Sequence, residues 1–202
     1  MREQIDSILS QTYKDWLLLI RDDGSKDNSL SIIMEYINKY PQRIKLINDN
    51  LGNVGVKRSF ENLLKESTSD FFMFCDQDDV WLPNKVENSY KQMQDDIFRY
   101  GNDIPLLVHT DLDIVDDNLK SIGCSMYETL KAHPEKIKSN KHLPFIAYLV
   151  TGCTMLGNRK LKDVSMPFPE DIDLHDVWIF RKAILSEGNT RIWLPYSSAI
   201  FW

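Results

Sequence analysis

Residues 71–81 read FFMFCDQDDVW, and this stretch decides the expected fold. Four apolar residues and a cysteine run directly into Asp76, Gln77, Asp78 and Asp79. A continuous apolar run bounded by polar residues predicts a strand buried on both faces, as in a parallel sheet covered by helices. Acidic residues at the carboxyl end of such a strand lie where open α/β sheets bind their ligands.

The acidic end of this stretch predicts a cation site. Three carboxylates within four residues repel one another, so folding them together costs free energy unless a cation offsets their charge. Oxygen ligands suit Mg²⁺ or Mn²⁺, and Mg²⁺ is commonly held by one or two carboxylates together with substrate phosphates. The alternative is a solvated acidic turn capping the helix that begins near Pro83, since Asp is common at turns and N-caps.

The rest of the chain alternates predicted strands and helices. Apolar runs at residues 16–20, 44–47 and 106–110 predict strands, and amphipathic segments lie between them. This alternation indicates βαβ crossovers and an α/β domain with a mostly parallel sheet flanked by helices. The other predicted elements are helices at residues 2–12, 55–66, 83–100 and 173–185, a helix ending before Pro41, and short strands at residues 112–115, 191–194 and 198–202.

Composition excludes some function classes. The 202 residues suit one domain with a sizeable core, and a net charge of −6 argues against nucleic acid as the main partner. No apolar run approaches the length of a membrane span. Three cysteines without C-x-x-C spacing (Cys75, Cys124 and Cys153) predict unpaired thiols and a cytoplasmic protein.

A second acidic group follows another predicted buried strand. Residues 22–25 read DDGS, directly after the run at residues 16–20. Two acidic strand ends on the same edge of a parallel sheet would face one cleft. Carboxylates there accept hydrogen bonds from a nucleobase N–H or from ribose hydroxyls. The alternative for Asp22 and Asp23 is a helix cap combined with Asp-Gly turn chemistry.

A third acid occurs about 100 residues after Asp76, in the sequence Leu174-His175-Asp176-Val177-Trp178. A carboxylate at the start of a helix is suited to act as a general base that removes a proton from an acceptor hydroxyl. The alternative is a capping Asp, which the helix dipole also favours.

Five segments carry a family resemblance. They are SILSQTY (residues 7–13), DDGSKD (22–27), NVG (53–55), CDQDDVW (75–81) and the His-Asp pair at 175–176. In this order they resemble the inverting glycosyltransferases of family 2, which have the Rossmann-like GT-A fold with a small acceptor-side subregion. The resemblance covers residues 3–202. It implies a single domain (1–202) whose residues 1–110 bind the nucleotide sugar and whose residues 111–202 bind the acceptor.

The resemblance implies donor-side roles for the acids of the first half. Asp22 and Asp23 would lie by the nucleobase and ribose. Asp76 and Asp78 would form the D-x-D element that meets the ribose and the divalent metal on the diphosphate. Asp78 is expected to be the direct metal ligand, and Asp79 is expected to be a helix cap.

On the acceptor side, the resemblance implies that Asp176 is the catalytic base and that His175 lies beside it. Thr151 and Gly152 resemble the loop that lines the acceptor. Trp178 is expected to lie on the same side of the site.

The implied reaction is the metal-dependent, inverting transfer of a hexose from a nucleotide diphosphate sugar, with Mn²⁺ or Mg²⁺ as the cofactor. The donor is UDP-hexose (UDP-glucose or UDP-galactose first) or dTDP-rhamnose. The acceptor is a hydroxyl of a glycan, a glycoprotein or a lipid-linked sugar.

Family members begin with a strand ending in a P-x-Y-N-like element, and related enzymes often continue beyond the last strand into an R-x-H-type element near the metal site. Neither is present in this sequence. We therefore expect a preceding segment, a further domain of a longer chain, or a second copy to fill the place of the first strand. If the chain is part of a longer protein, its other segments would be the ones that bind a membrane.

Two other functions compete with this interpretation. An inactive transferase fold would serve as a binding or assembly module. The sequence D-x-D-x-V after a buried strand also resembles the first motif of haloacid-dehalogenase-type phosphatases, but no later Asp pair with a matching Lys stands out. A sugar-1-phosphate nucleotidyltransferase is disfavoured because its glycine-rich basic phosphate loop is absent.

Overall fold

The computed structural model describes residues 1–131, 150–185 and 189–201, the last range by its backbone. Within these ranges, no helix combines the length and the apolar character that crossing a membrane requires.

The first part of the chain forms a small parallel sheet with three helices. Strands β1 and β2 pair in parallel, with Leu18 opposite Ile44. The bounds of these elements are α1 (Arg2–Leu9), β1 (Leu18–Ile20), α2 (Ser29–Lys39), β2 (Ile44–Leu46) and α3 (Gly55–Glu66). The helix expected at residues 55–66 is confirmed in both bounds.

The second part builds a six-stranded sheet. Its strand order is β3-β7-β5-β8-β4, and β6 pairs with β5 outside this path. The bounds are β3 (Phe71–Met73), β4 (Val80–Trp81), α4 (Lys85–Tyr100), β5 (Leu106–Val115), β6 (Ser121–Ser125), α5 (Met126–Thr129), a 3₁₀ turn (Gly152–Thr154), β7 (Met155–Asn158), α6 (Arg159–Ser165), α7 (His175–Leu185) and β8 (Asn189–Phe201).

The α/β class is confirmed, but the expectation of a mostly parallel sheet is wrong for this larger sheet. Of its described pairings, only β5 with β8 is parallel. The β3–β7, β5–β7, β5–β6 and β4–β8 pairs are antiparallel. The short turn between β5 and β6 is too short for a crossover, so these strands form an antiparallel pair. Two short strands were expected at residues 106–110 and 112–115, but the structure has one continuous strand there, β5. Likewise the two strands expected at residues 191–194 and 198–202 are one strand, β8.

Apolar side chains enclose the acidic end of β3. Phe72 and Phe74 are buried in one cluster with residues of β7 and α7, including Met155 and Phe180. Each side chain of this size contributes about 1.5–3 kcal/mol when it is fully buried. A neighbouring cluster contains Ile8, Trp81, Leu112 and Cys153. The acids that follow Phe74 therefore emerge between two packed clusters.

Gln11 fixes the loop after β4 to the end of α1. Its side chain is 0% exposed. The amide donates to the Leu82 carbonyl oxygen at 2.8 Å, and its oxygen accepts the Val86 N–H at 3.0 Å. The Thr12 N–H donates to the Pro83 carbonyl oxygen at 2.8 Å. The SILSQTY segment thus holds the start of α4 in place, which in turn fixes the acids just before it.

Candidate active site

The acidic end of β3 lies opposite the turn that precedes β7. Antiparallel pairing aligns Met73 with Leu156, and continuing this register past the strand end aligns Asp76 with Cys153. Ligand atoms of Asp76, Asp79 and Cys153 all lie within 4.8 Å of one another. Sheet register therefore gathers two carboxylates and a thiol from segments that are far apart in sequence.

Asp79 is the most constrained acid of this group. It is 0% exposed, and neither of its carboxylate oxygens has a hydrogen-bond partner in the described part of the chain. Burial without a hydrogen-bond partner disfavours the ionised carboxylate, and the pKa of Asp79 is therefore raised. The helix-cap role expected for Asp79 is wrong, because the N-cap of α4 is Asn84.

Lys85 brings a positive charge to the same buried group. It is 1% exposed, and its Nζ lies 5.0 Å from the ring centroid of Trp81. Burial lowers its pKa to about 8, while Cys153 and Asp79 act in the opposite direction. Lys85 is not among the site residues predicted from the sequence. Its signal is periodicity, since Lys85 shares the buried face of α4 with Ser89 and Met93.

Asp76 and Asp78 differ in exposure. Asp76 is half-buried, and burial followed by the charges of Asp79, Asp78 and Asp176 raises its pKa to about 7. Asp78 is exposed. Asp76 therefore faces the buried group and also lies within electrostatic range of Asp176, while Asp78 remains open to solvent.

Asp176 lies in the first turn of α7 and contacts the 3₁₀ turn. Its Oδ2 accepts the Gly152 N–H at 3.0 Å, and its Oδ1 accepts the Val177 N–H at 2.7 Å. The acid is half-buried. Two N–H donors therefore fix the orientation of this carboxylate beside the acidic end of β3.

Gly152 has no room for a side chain. A Cβ atom there would lie 2.9 Å from His175 Nε2 and 3.5 Å from Asp176 Cβ. Glycine is therefore required by the close approach of the turn to α7. Thr151 closes the turn, because its carbonyl oxygen accepts the Thr154 N–H at 3.0 Å and the Thr154 hydroxyl at 2.8 Å.

His175 packs behind Asp176 as a neutral ring. Its imidazole stacks on Phe60 with centroids 3.9 Å apart and meets the edge of Phe74 at 4.9 Å. Burial lowers its pKa to about 4, against the opposing charge of Asp176. Neither ring nitrogen has a hydrogen-bond partner among the described residues.

Trp178 is placed differently from the other acceptor-side residues. Its indole N–H donates to the Ser165 carbonyl oxygen at 2.8 Å, at the end of α6. Lys182 lies over its ring at 5.3 Å. Trp178 also packs against the apolar cluster that contains Phe72 and Phe74. Within the described part of the chain, its indole N–H is bonded to α6 and not to the acids of the site.

Asp22 and Asp23 organise the loops after β1. Asp22 Oδ2 accepts the N–H groups of Gly24 and Ser25, each at 3.1 Å. Asp23 accepts the N–H groups of Val54 and Gly55, each at 2.8 Å, at the start of α3. Burial alone would raise the pKa of Asp23, but these N–H groups and a neighbouring guanidinium hold it below its usual value.

That guanidinium belongs to Arg21, which the sequence analysis also missed. Its side chain is 2% exposed. It pairs with both Asp23 and Asp49, and it also donates to the Ser59 hydroxyl at 3.0 Å and the Gly52 carbonyl oxygen at 2.7 Å. A basic residue directly before two acids was the available signal. Arg21 joins β1, the loop before α3 and α3 itself.

The amino-acid sequence matches the model of one protein family. The model of the family described as "Glycosyl transferase family 2" matches residues 1–185. The chain belongs to this family. The family and enzyme class predicted from the sequence are thereby confirmed.

Curated relatives extend beyond this chain. An Escherichia coli protein named UDP-Glc:alpha-D-GlcNAc-diphosphoundecaprenol beta-1,3-glucosyltransferase WfgD is 31% identical over 189 residues, which are 92% of this chain and 64% of the relative. An uncharacterized glycosyltransferase of Rickettsia prowazekii, RP339, is 28% identical over 86% of this chain and 52% of its own length. The chain thus spans about half to two thirds of these relatives.

Solved structures confirm the GT-A fold. S. aureus TarS superimposes with a TM-score of 0.70 at 17% identity, over 99% of this chain and 34% of TarS. The mannosyltransferase PcManGT of Pyrobaculum calidifontis, solved with GDP-Man and Mn²⁺, gives a TM-score of 0.66 at 16% identity, over 98% of this chain and 52% of its own. At these identities the likeness concerns the fold alone.

Proposed function

We propose that this chain is the catalytic domain of a metal-dependent, inverting hexosyltransferase. In this proposal a hexose passes from a UDP-sugar to a hydroxyl of a lipid-linked or glycan acceptor. The observation that carries the proposal is the link from the acidic end of β3 to Asp176. Ligand atoms of Asp76, Asp79 and Cys153 lie within 4.8 Å of one another, and the N–H of the adjacent Gly152 donates to Asp176 at 3.0 Å. A donor-side acid and a base candidate thus share one site.

The donor set fits a hard divalent cation. Asp76 and Asp78 offer carboxylate oxygens, and the buried Asp79 carboxyl lies within 4.8 Å of the Asp76 carboxylate. We propose Asp78 as the direct ligand and Asp76 as its neighbour. When bound, Mn²⁺ or Mg²⁺ offsets the charge that builds on the departing diphosphate.

Asp176 is proposed as the base that removes the proton from the acceptor hydroxyl. The Gly152 N–H and the Val177 N–H hold its carboxylate in one orientation. Because His175 is neutral and buried against Phe60, we propose that it supports Asp176 by packing and does not take part in proton transfer. Attack from the face opposite the diphosphate produces inversion.

Asp22 and Asp23 are proposed to shape the nucleotide pocket. Their carboxylates hold backbone N–H groups at Gly24, Ser25, Val54 and Gly55. The proposal assigns residues 1–110 to the donor and residues 111–202 to the acceptor. This division is functional and does not follow a structural boundary, because β5 runs from Leu106 to Val115 and thus crosses residue 110.

The choice of donor and acceptor rests on a relative. WfgD is named for UDP-Glc and a GlcNAc-diphosphoundecaprenol acceptor, and it is 31% identical to this chain. We therefore propose UDP-glucose as the first donor to test and a GlcNAc-diphospholipid as the first acceptor. The cysteines at positions 75, 124 and 153 are free thiols, which suits a reducing compartment, and we propose that the reaction occurs in the cytoplasm.

Calorimetric titration with UDP, dTDP and GDP, each with and without Mn²⁺, tests the donor site. We expect UDP to bind in the presence of Mn²⁺ and to bind at least about tenfold more weakly without it, because the diphosphate and the acids repel one another without a cation. Binding of dTDP or GDP in place of UDP would overturn the choice of UDP. Absence of binding by all three nucleotides would favour the inactive binding module.

The pKa of Asp76 predicts the pH dependence of metal binding. Because burial and neighbouring acids raise this pKa to about 7, Asp76 holds a proton at pH 6 and is mostly ionised at pH 8. A cation competes with that proton, so Mn²⁺ should raise Tm more at pH 8 than at pH 6. Thermal unfolding at both pH values with and without Mn²⁺ measures this difference. The Asp76→Asn variant should lose most of the pH dependence, since only Lys85, with a pKa of about 8, still titrates beside the acids in this range. An equal Mn²⁺ effect at both pH values in the wild type would contradict the prediction.

A further inference from the structure

The helix α3 touches both ends of the proposed site. At its N-terminal end, Asp23 accepts the N–H groups of Val54 and Gly55. Further along the same helix, Phe60 stacks on His175 with ring centroids 3.9 Å apart. A displacement of α3 therefore reaches the donor-side loop and the residue next to Asp176 together.

Side chains of α3 also hold the segment that leads into α7. Lys57 Nζ donates to the carbonyl oxygens of Glu170 and Ile172, at 2.6 and 3.0 Å. Arg58 Nη1 donates to the Phe168 carbonyl oxygen at 3.1 Å. In this segment, residues 168–174, the carbonyl groups of Phe168, Glu170 and Ile172 are therefore held by side chains of α3.

Glu61 is the buried acid at the centre of these contacts. It is 8% exposed, and its Oε1 accepts the Phe168 N–H at 2.7 Å. Its other oxygen pairs with the Arg58 guanidinium, which itself holds the Phe168 carbonyl. Glu61 and Arg58 therefore bind both backbone groups of Phe168, and this fixes the start of the segment that leads into α7 and Asp176, eight residues after Phe168.

We propose that Glu61 is a positioning residue for Asp176. The proposal rests on the base role proposed for Asp176. Removing the Glu61 carboxylate leaves the buried Phe168 N–H without its acceptor and releases Arg58. The segment before α7 then relaxes, and the Asp176 carboxylate moves relative to the acceptor hydroxyl. Displacements of about 1 Å in a reacting group are sufficient to reduce turnover by about a hundredfold.

The variants Glu61→Ala and Glu61→Gln test this role, with Glu66→Ala as the matched control on an exposed turn of the same helix. UDP release from UDP-glucose with a GlcNAc-diphospholipid acceptor gives kcat and the KM for the donor. We expect Glu61→Ala to lower kcat by about tenfold to a hundredfold with the donor KM nearly unchanged. Glu61→Gln should recover part of kcat, because its amide oxygen still accepts the Phe168 N–H. Glu66→Ala should behave as wild type.

The Gly152 amide provides a readout that does not depend on turnover. This N–H donates to Asp176 at 3.0 Å, so its ¹⁵N–¹H resonance reports the position of that carboxylate. We expect the resonance to shift in Glu61→Ala, to shift less in Glu61→Gln and to stay in place in Glu66→Ala. If Glu61→Ala does not fold, the kcat and the resonance of Glu61→Gln decide the question.

The outcomes separate the two proposals. Wild-type kcat together with an unmoved Gly152 resonance in the Glu61 variants would overturn the positioning role. A shifted resonance with the expected loss of kcat would support it. If Asp176→Asn retained turnover, the base role would fail, and a shifted Gly152 resonance would still establish that Glu61 positions this carboxylate.

Discussion

Asp176→Asn is expected to reduce sugar transfer by a factor on the order of 10²–10⁴, while the affinity for UDP and Mn²⁺ stays near that of the wild type. Asparagine retains an oxygen that accepts the Gly152 N–H, so the shape of the turn is preserved. The variant loses the basic carboxylate that removes the acceptor proton. Turnover with UDP-glucose and calorimetric titration with UDP measure the two properties separately.

The control for this variant is Asp171→Asn, the same change at an exposed acid in the segment before α7. It should keep both turnover and UDP affinity. Normal turnover in Asp176→Asn would remove this residue from the base role. A loss of UDP affinity in that variant would instead place Asp176 on the donor side of the site.

The acidic strand ends and the family were predictable because they are local features of the sequence. The run at residues 71–75 continues directly into Asp76, and chain order alone places Asp76 at a strand end. The helix at residues 55–66 has a periodic apolar face with Leu64 buried, and its bounds were predicted correctly. Such features depend on neighbours within a few residues, and sequence patterns record them directly.

The grouping of Asp79 with Cys153 was not predictable, because it depends on strand register between β3 and β7. Pairing across about 80 residues leaves no local pattern, and the antiparallel direction of β7 was itself unexpected. The hydrogen bond from the Trp178 indole to Ser165, and the packing of this ring against the cluster of Leu161 and Phe180, likewise have no local sequence signal.

Two buried charged residues, Arg21 and Lys85, were also not predictable from the sequence. Arg21 and Lys85 look like ordinary surface residues by type, since charged side chains are seldom fully buried. Here Arg21 has carboxylate partners at Asp23 and Asp49, and Lys85 lies beside Asp79. Their burial depends on acids from other parts of the chain, which only the folded structure places next to them.

Asp78→Ala is expected to abolish the Mn²⁺-dependent part of UDP binding with little change in the stability of the apoprotein. Asp78 is exposed and adds to the repulsion that raises the pKa of Asp76, so its removal relieves like charge in the metal-free fold. Titration of UDP with and without Mn²⁺, together with thermal unfolding of the metal-free protein, measures both effects. Asp117→Ala, at an exposed turn acid outside the acidic end of β3, is the control.

Cys153→Ser separates the two ways in which the acids are able to hold a cation. The group of Asp76, Asp79 and Cys153 offers three ligand atoms, but Asp79 is 0% exposed and the buried Lys85 already supplies positive charge beside it. A diphosphate needs a metal with open coordination positions toward solvent, and of these acids Asp78 is the exposed one. We therefore expect Cys153→Ser to keep Mn²⁺-dependent UDP binding and Asp78→Ala to lose it. The reverse result would place the cation in the buried group and would leave Asp78 without a role in donor binding.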